Sequence, residues 1–126
     1  MVQFYCDLLG FTVDWDMDHR GGAGLSTVVG MHEAEAHMVM LKGLGMRIEL
    51  FHYYQPQGCE SHSSRQCDFG LTHFALQVRG IHTIYERLVA AGVRFNCPPH
   101  NLRYGVWATY MRDPEDNTVE LVQYDN

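Results

Sequence analysis

No apolar stretch in this chain approaches the ~20 residues that a membrane span requires. No basic run appears either, and the formal net charge is -6, so a surface for nucleic acid or anionic lipid is not expected. The start, MVQFYCDLL, lacks the basic flank and long apolar core of a secretory signal. A soluble, cytoplasmic protein is expected. Cys6, Cys59, Cys67 and Cys97 form no CxxC pair, which argues against a zinc ribbon or a thioredoxin-type site. Cys59 and Cys67 are close enough in sequence to pair in an oxidising compartment, but reduced thiols are the expectation. With these classes set aside, 126 residues suffice for one compact domain or two small modules sharing a core, and the expected partner is a small molecule.

What is present begins with two matching stretches, RIELFHY at residues 47–53 and TVELVQY at 118–124. Side chains alternate between the two faces of a strand. Ile48 and Leu50 therefore share one face, with Glu49, Phe51 and Tyr53 on the other. In the second copy Val119 and Leu121 oppose Glu120, Val122 and Tyr124. Apolar pairs suit a helix-covered surface, so both glutamates are expected on the opposite side of their sheets. In LTHFALQV, residues 71–78, His73 alternates with Phe74 and Leu76 and shares the phase of the two glutamates. An imidazole and two carboxylates lining one cavity would suit a divalent ion.

In chain order, helical spacing of Val2, Tyr5, Leu8 and Leu9 predicts a short helix stopped by Gly10. A strand is expected over Phe11 to Trp15, a loop over Asp16 to Gly24 and a helical turn over Leu25 to Gly30. Glu33 to Lys42 and Met46 to Tyr54 should form a hairpin across Gly43 to Gly45. Gln55 to Asp68 reads as a polar linker. The pattern then restarts: a strand at Leu71 to Arg79, a helix with Ile81, Ile84, Tyr85, Leu88 and Val89 on one face, a short strand at Val93 to Phe95, a loop at Cys97 to Tyr104, and strands at Trp107 to Arg112 and Thr118 to Tyr124. Asp113 to Asn117 forms the last turn. The second half opens on a strand that the first half lacks.

The segments FYCDLLGF (4–11), RIELF (47–51), GLTHFALQV (70–78), AAGV (90–93) and DPEDNTVELVQ (113–123) resemble the vicinal oxygen chelate superfamily. That superfamily includes glyoxalase I, methylmalonyl-CoA epimerase, extradiol dioxygenases and the fosfomycin- and bleomycin-resistance proteins. The resemblance implies an α+β fold of paired βαβββ modules forming a cup-shaped mixed sheet, with the opening strand of the first module missing. The modules would occupy residues 1–54 and 70–126, with a linker at 55–69. It further implies Glu49, His73 and Glu120 as metal ligands around a divalent ion (Ni, Zn, Co, Mn or Fe); the superfamily's remaining ligand has no counterpart here. Asp116 stands where the superfamily's turn usually carries Gly, and Asp tolerates the left-handed conformation required.

Glu at position 49 favours glyoxalase-like lyase or isomerase chemistry through an enediolate-type intermediate, with Glu120 or Glu49 as the catalytic base. No basic pocket for the carboxylates of glutathione is evident, so glyoxalase I itself is not implied. The alternatives are a metal-free protein that sequesters a small molecule, as the bleomycin-resistance members do, and an extradiol-type dioxygenase. Phe51, Trp107, Tyr110 and Met111 are the expected substrate-pocket residues, with Tyr104, Met38 and Met40 as further wall candidates. The orphaned edge of the first module suggests a homodimer. His52 falls on the face opposite Glu49, and most of the other histidines are expected to be solvent-facing or structural, with His37 or His19 as the candidates to stand in for the absent ligand.

Overall fold

Alternating apolar residues build the first of two three-dimensional units, and in the computed structural model this unit is a single antiparallel sheet with a short helical cover. The structure describes residues 1–60 and 64–125, and the chain divides into Met1–Ser61 and His62–Asn126. Part of the expected linker, with His62, lies outside the described residues.

The first unit opens with a π-helical segment, Phe4–Leu8. β1 (Thr12–Gly21), α1 (Ala23–Val29), β2 (Glu35–Gly43) and β3 (Met46–Gln55) follow, with the strands in the order β1-β2-β3. Gly10, at φ 75°, turns the chain out of the helix. Tyr5, Leu9 and Phe11 are buried with Val39 and Leu41, and the rings of Phe4, Tyr5 and Phe11 meet edge to face at 5.1 and 5.8 Å. Fully burying a side chain such as Leu41 contributes roughly 2 kcal/mol.

Gly43 permits this packing because a Cβ there would lie 2.8 Å from the Phe11 ring and 3.1 Å from its Cα. The ring can turn, but the backbone carbon cannot move without shifting the turn. Gly43→Ala is therefore expected to cost about 1–3 kcal/mol of stability, measurable by urea unfolding.

β1 corrects the expectation of a short strand followed by a loop. It continues through the acidic run to Gly21 and pairs with β2 as far as Gly21 opposite Glu35. A register shift between Met17 and Arg20 absorbs the irregular residues Asp18 and His19. The outer half of β1 was hidden from an apolar-pattern argument because its side chains there are largely exposed.

The second unit contains β4 (Phe74–Gln77), α2 (Ile81–Ala90), β5 (His100–Arg103), β6 (Val106–Arg112) and β7 (Thr118–Tyr124). Its sheet runs β4-β7-β6-β5, with β4 parallel to β7 and the remaining pairs antiparallel. Ile81 and Leu88 of α2 are buried with Leu76, Met111, Val119 and Leu121. Gln123 Oε1 accepts from the Ile81 backbone N–H at 2.9 Å, satisfying a donor at the helix start that would otherwise lack an intrahelical partner.

Three local expectations change in this unit. The strand containing His73 is shorter, so His73 stands immediately before β4. Val93–Phe95 reduces to one isolated bridge from Phe95 to Met111. The expected loop at Cys97–Tyr104 contains β5, whose four residues are all exposed and therefore show no apolar alternation. All four cysteines are free.

Candidate functional site

The second unit places its chemistry on the face of the sheet turned away from α2. Val119 and Leu121 are fully buried, so alternation along β7 sends Glu120 to the other side. Antiparallel pairing puts Tyr110 opposite Glu120, while parallel pairing puts Ala75 beside it. The small Ala75 side chain leaves room next to the carboxylate, and His73 enters from just beyond the start of β4.

These positions bring three polar side chains together. His73 Nε2 lies 3.5 Å from Glu120 Oε2 and 3.4 Å from the Tyr110 hydroxyl. The His73 and Tyr110 rings are 4.9 Å apart and tilted by 36°. On the other side of the imidazole, Thr72 Oγ1 is 3.3 Å from Nδ1. When Nδ1–H donates to that hydroxyl, Nε2 keeps its lone pair free to accept from the Tyr110 hydroxyl or to bind a cation beside the carboxylate. The side chains of His73 and Glu120 are 33% and 17% exposed, sheltered yet open to a ligand.

Burial, followed by the charge of Glu120, raises the Tyr110 phenol above its ordinary value of 10.0. Tyr110 therefore holds its proton throughout the neutral range and is available as a hydrogen-bond donor. Thr72 was not singled out from the sequence, although its position next to His73 was visible there. The juxtaposition of Tyr110 and Glu120 depends on hairpin register as well as residue type.

That register is set by the turn between β6 and β7. Asp113 is 4% exposed, and its Oδ1 accepts from the backbone N–H groups of Glu115 and Asn117, both at 3.0 Å. The Asn117 side-chain amide donates to Oδ1 and Oδ2 at 3.1 and 2.9 Å. Asp116 adopts φ 65°, the left-handed conformation expected of it.

Two expected pocket residues take the other face. Trp107 and Met111 differ by an odd number of positions from Tyr110, so they cannot share its side of a regular strand. Met111 is fully buried in the core. Trp107 meets the His82 ring of α2 at 4.8 Å, and its Nε1–H donates to Asp125 Oδ2 at 3.1 Å. Tyr104, at 102% exposure, is also not part of a buried wall.

In the first unit, Glu49 is exposed on β3, with Met40 as its cross-strand neighbour. Phe51 stacks on Tyr53, the centroids being 5.4 Å apart, and alternation puts both on Glu49's side. At one end of the sheet Asp14 binds Lys42 Nζ and Arg47 Nη2 at 3.1 and 3.3 Å. His52 points to the opposite face, where it meets the Tyr54 ring at 5.1 Å. Among the described residues, no set of three or more His, Cys, Asp or Glu side chains is gathered in metal-holding geometry. Within the second unit, His73 and Glu120 form a pair.

The model of the Glyoxalase/Bleomycin resistance protein/Dioxygenase superfamily matches residues 1–121. The chain belongs to that superfamily. A glyoxalase family protein from Bacillus cereus shares 18% identity at TM-score 0.83, with 95% of this chain and 82% of that chain covered. A glyoxalase family protein from Enterococcus faecalis shares 24% identity at TM-score 0.66, with coverages of 95% and 83%. A glyoxylase/bleomycin resistance protein/dioxygenase domain from Frankia sp. EAN1pec shares 20% identity at TM-score 0.66, with coverages of 99% and 82%. These likenesses establish a shared fold. No curated protein matches the sequence. Among the described residues, no helix is long and apolar enough to cross a membrane.

Proposed function

We propose that this superfamily member is a divalent-metal-dependent lyase or isomerase of glyoxalase type, acting on a small substrate with adjacent oxygen atoms. The observation that carries this reading is the approach of His73 Nε2 to Glu120 Oε2 at 3.5 Å, with Tyr110 at its side. One imidazole nitrogen and one carboxylate suit a borderline divalent ion such as Ni, Zn, Co, Mn or Fe. Glu49 is the further carboxylate ligand assigned by family resemblance.

A divalent ion held there would polarise substrate oxygens and stabilise negative charge developing on them. Around it, Thr72 orients the His73 ring, Glu120 removes a proton from carbon, and the protonated Tyr110 hydroxyl donates to a substrate oxygen. Ala75 provides the space in which the substrate rests against the sheet. In this role Tyr110 remains a wall residue, while Phe51 presents an aromatic surface on the face of Glu49.

We further propose a homodimer. In support, β3 has a single strand neighbour among the described residues, β2, and an open strand edge favours pairing.

The test uses untagged protein incubated with each metal and desalted. About one ion per chain should remain, and the loaded protein should then bind acetohydroxamate, a ligand with two adjacent oxygens. Light scattering of the same sample should return twice the 14.5 kDa chain mass. Failure to retain any of the five metals would overturn the enzyme reading and favour the metal-free sequestration alternative. A monomeric mass would overturn the dimer independently.

A further inference from the structure

At the outer end of the first sheet, the carboxylates are paired with imidazoles. His19 Nδ1 meets Glu35 Oε1 at 2.6 Å. His37 Nε2 meets Asp16 Oδ1 at 2.6 Å, and its Nδ1 is 4.0 Å from Asp18 Oδ1. His32 Nδ1 lies 3.7 Å from Glu33 Oε2. Tyr54 donates its hydroxyl to Asp18 at 2.7 Å, and the His19 and Tyr54 rings stack with centroids 4.5 Å apart. The permanent cations Lys42 and Arg47 bind Asp14 at the other end.

These contacts converge on an irregular piece of backbone. The register of β1 against β2 shifts between Met17 and Arg20, and His19 occupies φ 47°, an uncommon conformation for a residue with a side chain. The ladder is irregular where the histidine pairs bridge β1 to β2. We infer that the outer end of this sheet is a pH-operated clasp, in which protonated His19, paired with Glu35, holds the last residues of β1 against β2 and releases them when it loses its proton.

The titratable groups at the outer end of the neighbouring elements enter this balance, with Asp14, Lys42, Arg47 and Glu49 lying farther along the strands. β1 contributes Asp16, Asp18, His19 and the permanent cation Arg20; the connector contributes His32 and Glu33. β2 contributes Glu35 and His37, while β3 contributes His52, Tyr53 and Tyr54. The sequence of α1, AGLSTVV, contains no titratable side chain.

The hydrogen bond to Glu35 raises the His19 imidazole above its ordinary value of 6.5. Its stabilisation is therefore fully present below about pH 6.5 and is lost as pH rises through the higher folded-state value. The hydrogen bond from Tyr54 holds Asp18 below its ordinary 3.8, so that contact fails only in stronger acid. The clasp therefore opens on the alkaline side. A cavity of about 640 Å³, lined by His19, Gly21, Ser26, Glu33, Glu35 and Gln55 among others, adjoins the moving segment. Opening of the clasp would widen its mouth.

Amide hydrogen exchange on the intact chain, corrected for the intrinsic effect of pH, tests the clasp. From about pH 5.5 to about pH 8, protection over residues 16–21 should fall about two- to fivefold, the scale appropriate to a few exposed ion pairs. Protection around Leu41 should be unchanged. The His19→Gln variant should show the low value at both pH values, and Glu35→Gln should reduce the pH response while retaining side-chain shape. Equal wild-type protection at both pH values would overturn the inference. An undiminished pH response in both variants would do the same.

Discussion

Glu120→Gln is expected to weaken divalent-metal binding at least about a hundredfold and to remove turnover, while leaving the fold intact. Glutamine preserves the length and shape of the side chain, so β7 keeps its pairing with β4 and β6. It loses the anionic oxygen that faces His73 Nε2 at 3.5 Å. Disturbing a residue that merely supports a metal ligand commonly costs 10- to 100-fold in affinity, and loss of the ligand's charge should reach at least the upper end of that range. Glutamine also cannot accept the proton that the proposed chemistry takes from carbon. Calorimetric metal titration, with circular dichroism as the fold control, measures the difference. Near-wild-type affinity in the variant would remove Glu120 from the metal site.

The second large effect is on folding. Asp113→Ala should destabilise the protein by about 3 kcal/mol, lowering the thermal midpoint by roughly 10 °C. The carboxylate gathers two backbone N–H groups and the Asn117 amide in a nearly buried turn. Alanine would leave those donors without this acceptor and loosen the hairpin that places Tyr110 opposite Glu120. Asp113→Asn retains one acceptor oxygen and should recover about half of the loss. Thermal unfolding of the two variants checks both size and order, and equal midpoints for Ala and Asn would contradict this account.

Individual residues explain what the sequence made legible. Val119 and Leu121 fixed the phase of β7 because each is apolar, alternates with a charge and packs beneath a helix. Along β3 alternation put Ile48 and Leu50 on one face, although both are only half-buried. The glycine-flanked turn at Gly43–Gly45 made the intervening hairpin readable, since tight turns have strong residue preferences. β5 was not legible, because four exposed residues carry no burial signal. The outer half of β1 was hidden for a related reason: its side chains there are largely exposed and include imidazole–carboxylate pairs, which leave no apolar periodicity.

At the site, the phase of His73 and Glu120 followed from alternation, and the structure brings the two together within the second unit. Trp107 and Met111 had been grouped with Tyr110 by side-chain type, yet neighbours on a strand point in opposite directions. Their fate was therefore already implicit in residue parity. The contact between Tyr110 and Glu120 was harder to foresee because it requires the register imposed by Asp113. Hydrogen bonds within the turn, invisible to a pattern of apolar positions, decide which residues of β6 and β7 face each other.

The most direct test of the metal-ligand proposal is nitrogen-15 NMR of the histidine side chains during addition of zinc. The account predicts a large displacement of the His73 Nε2 resonance at about one equivalent, and the same titration of Glu120→Gln should require far more metal. An unmoved His73 resonance, whether zinc instead reaches His19 and His37 or binds nowhere, would contradict it.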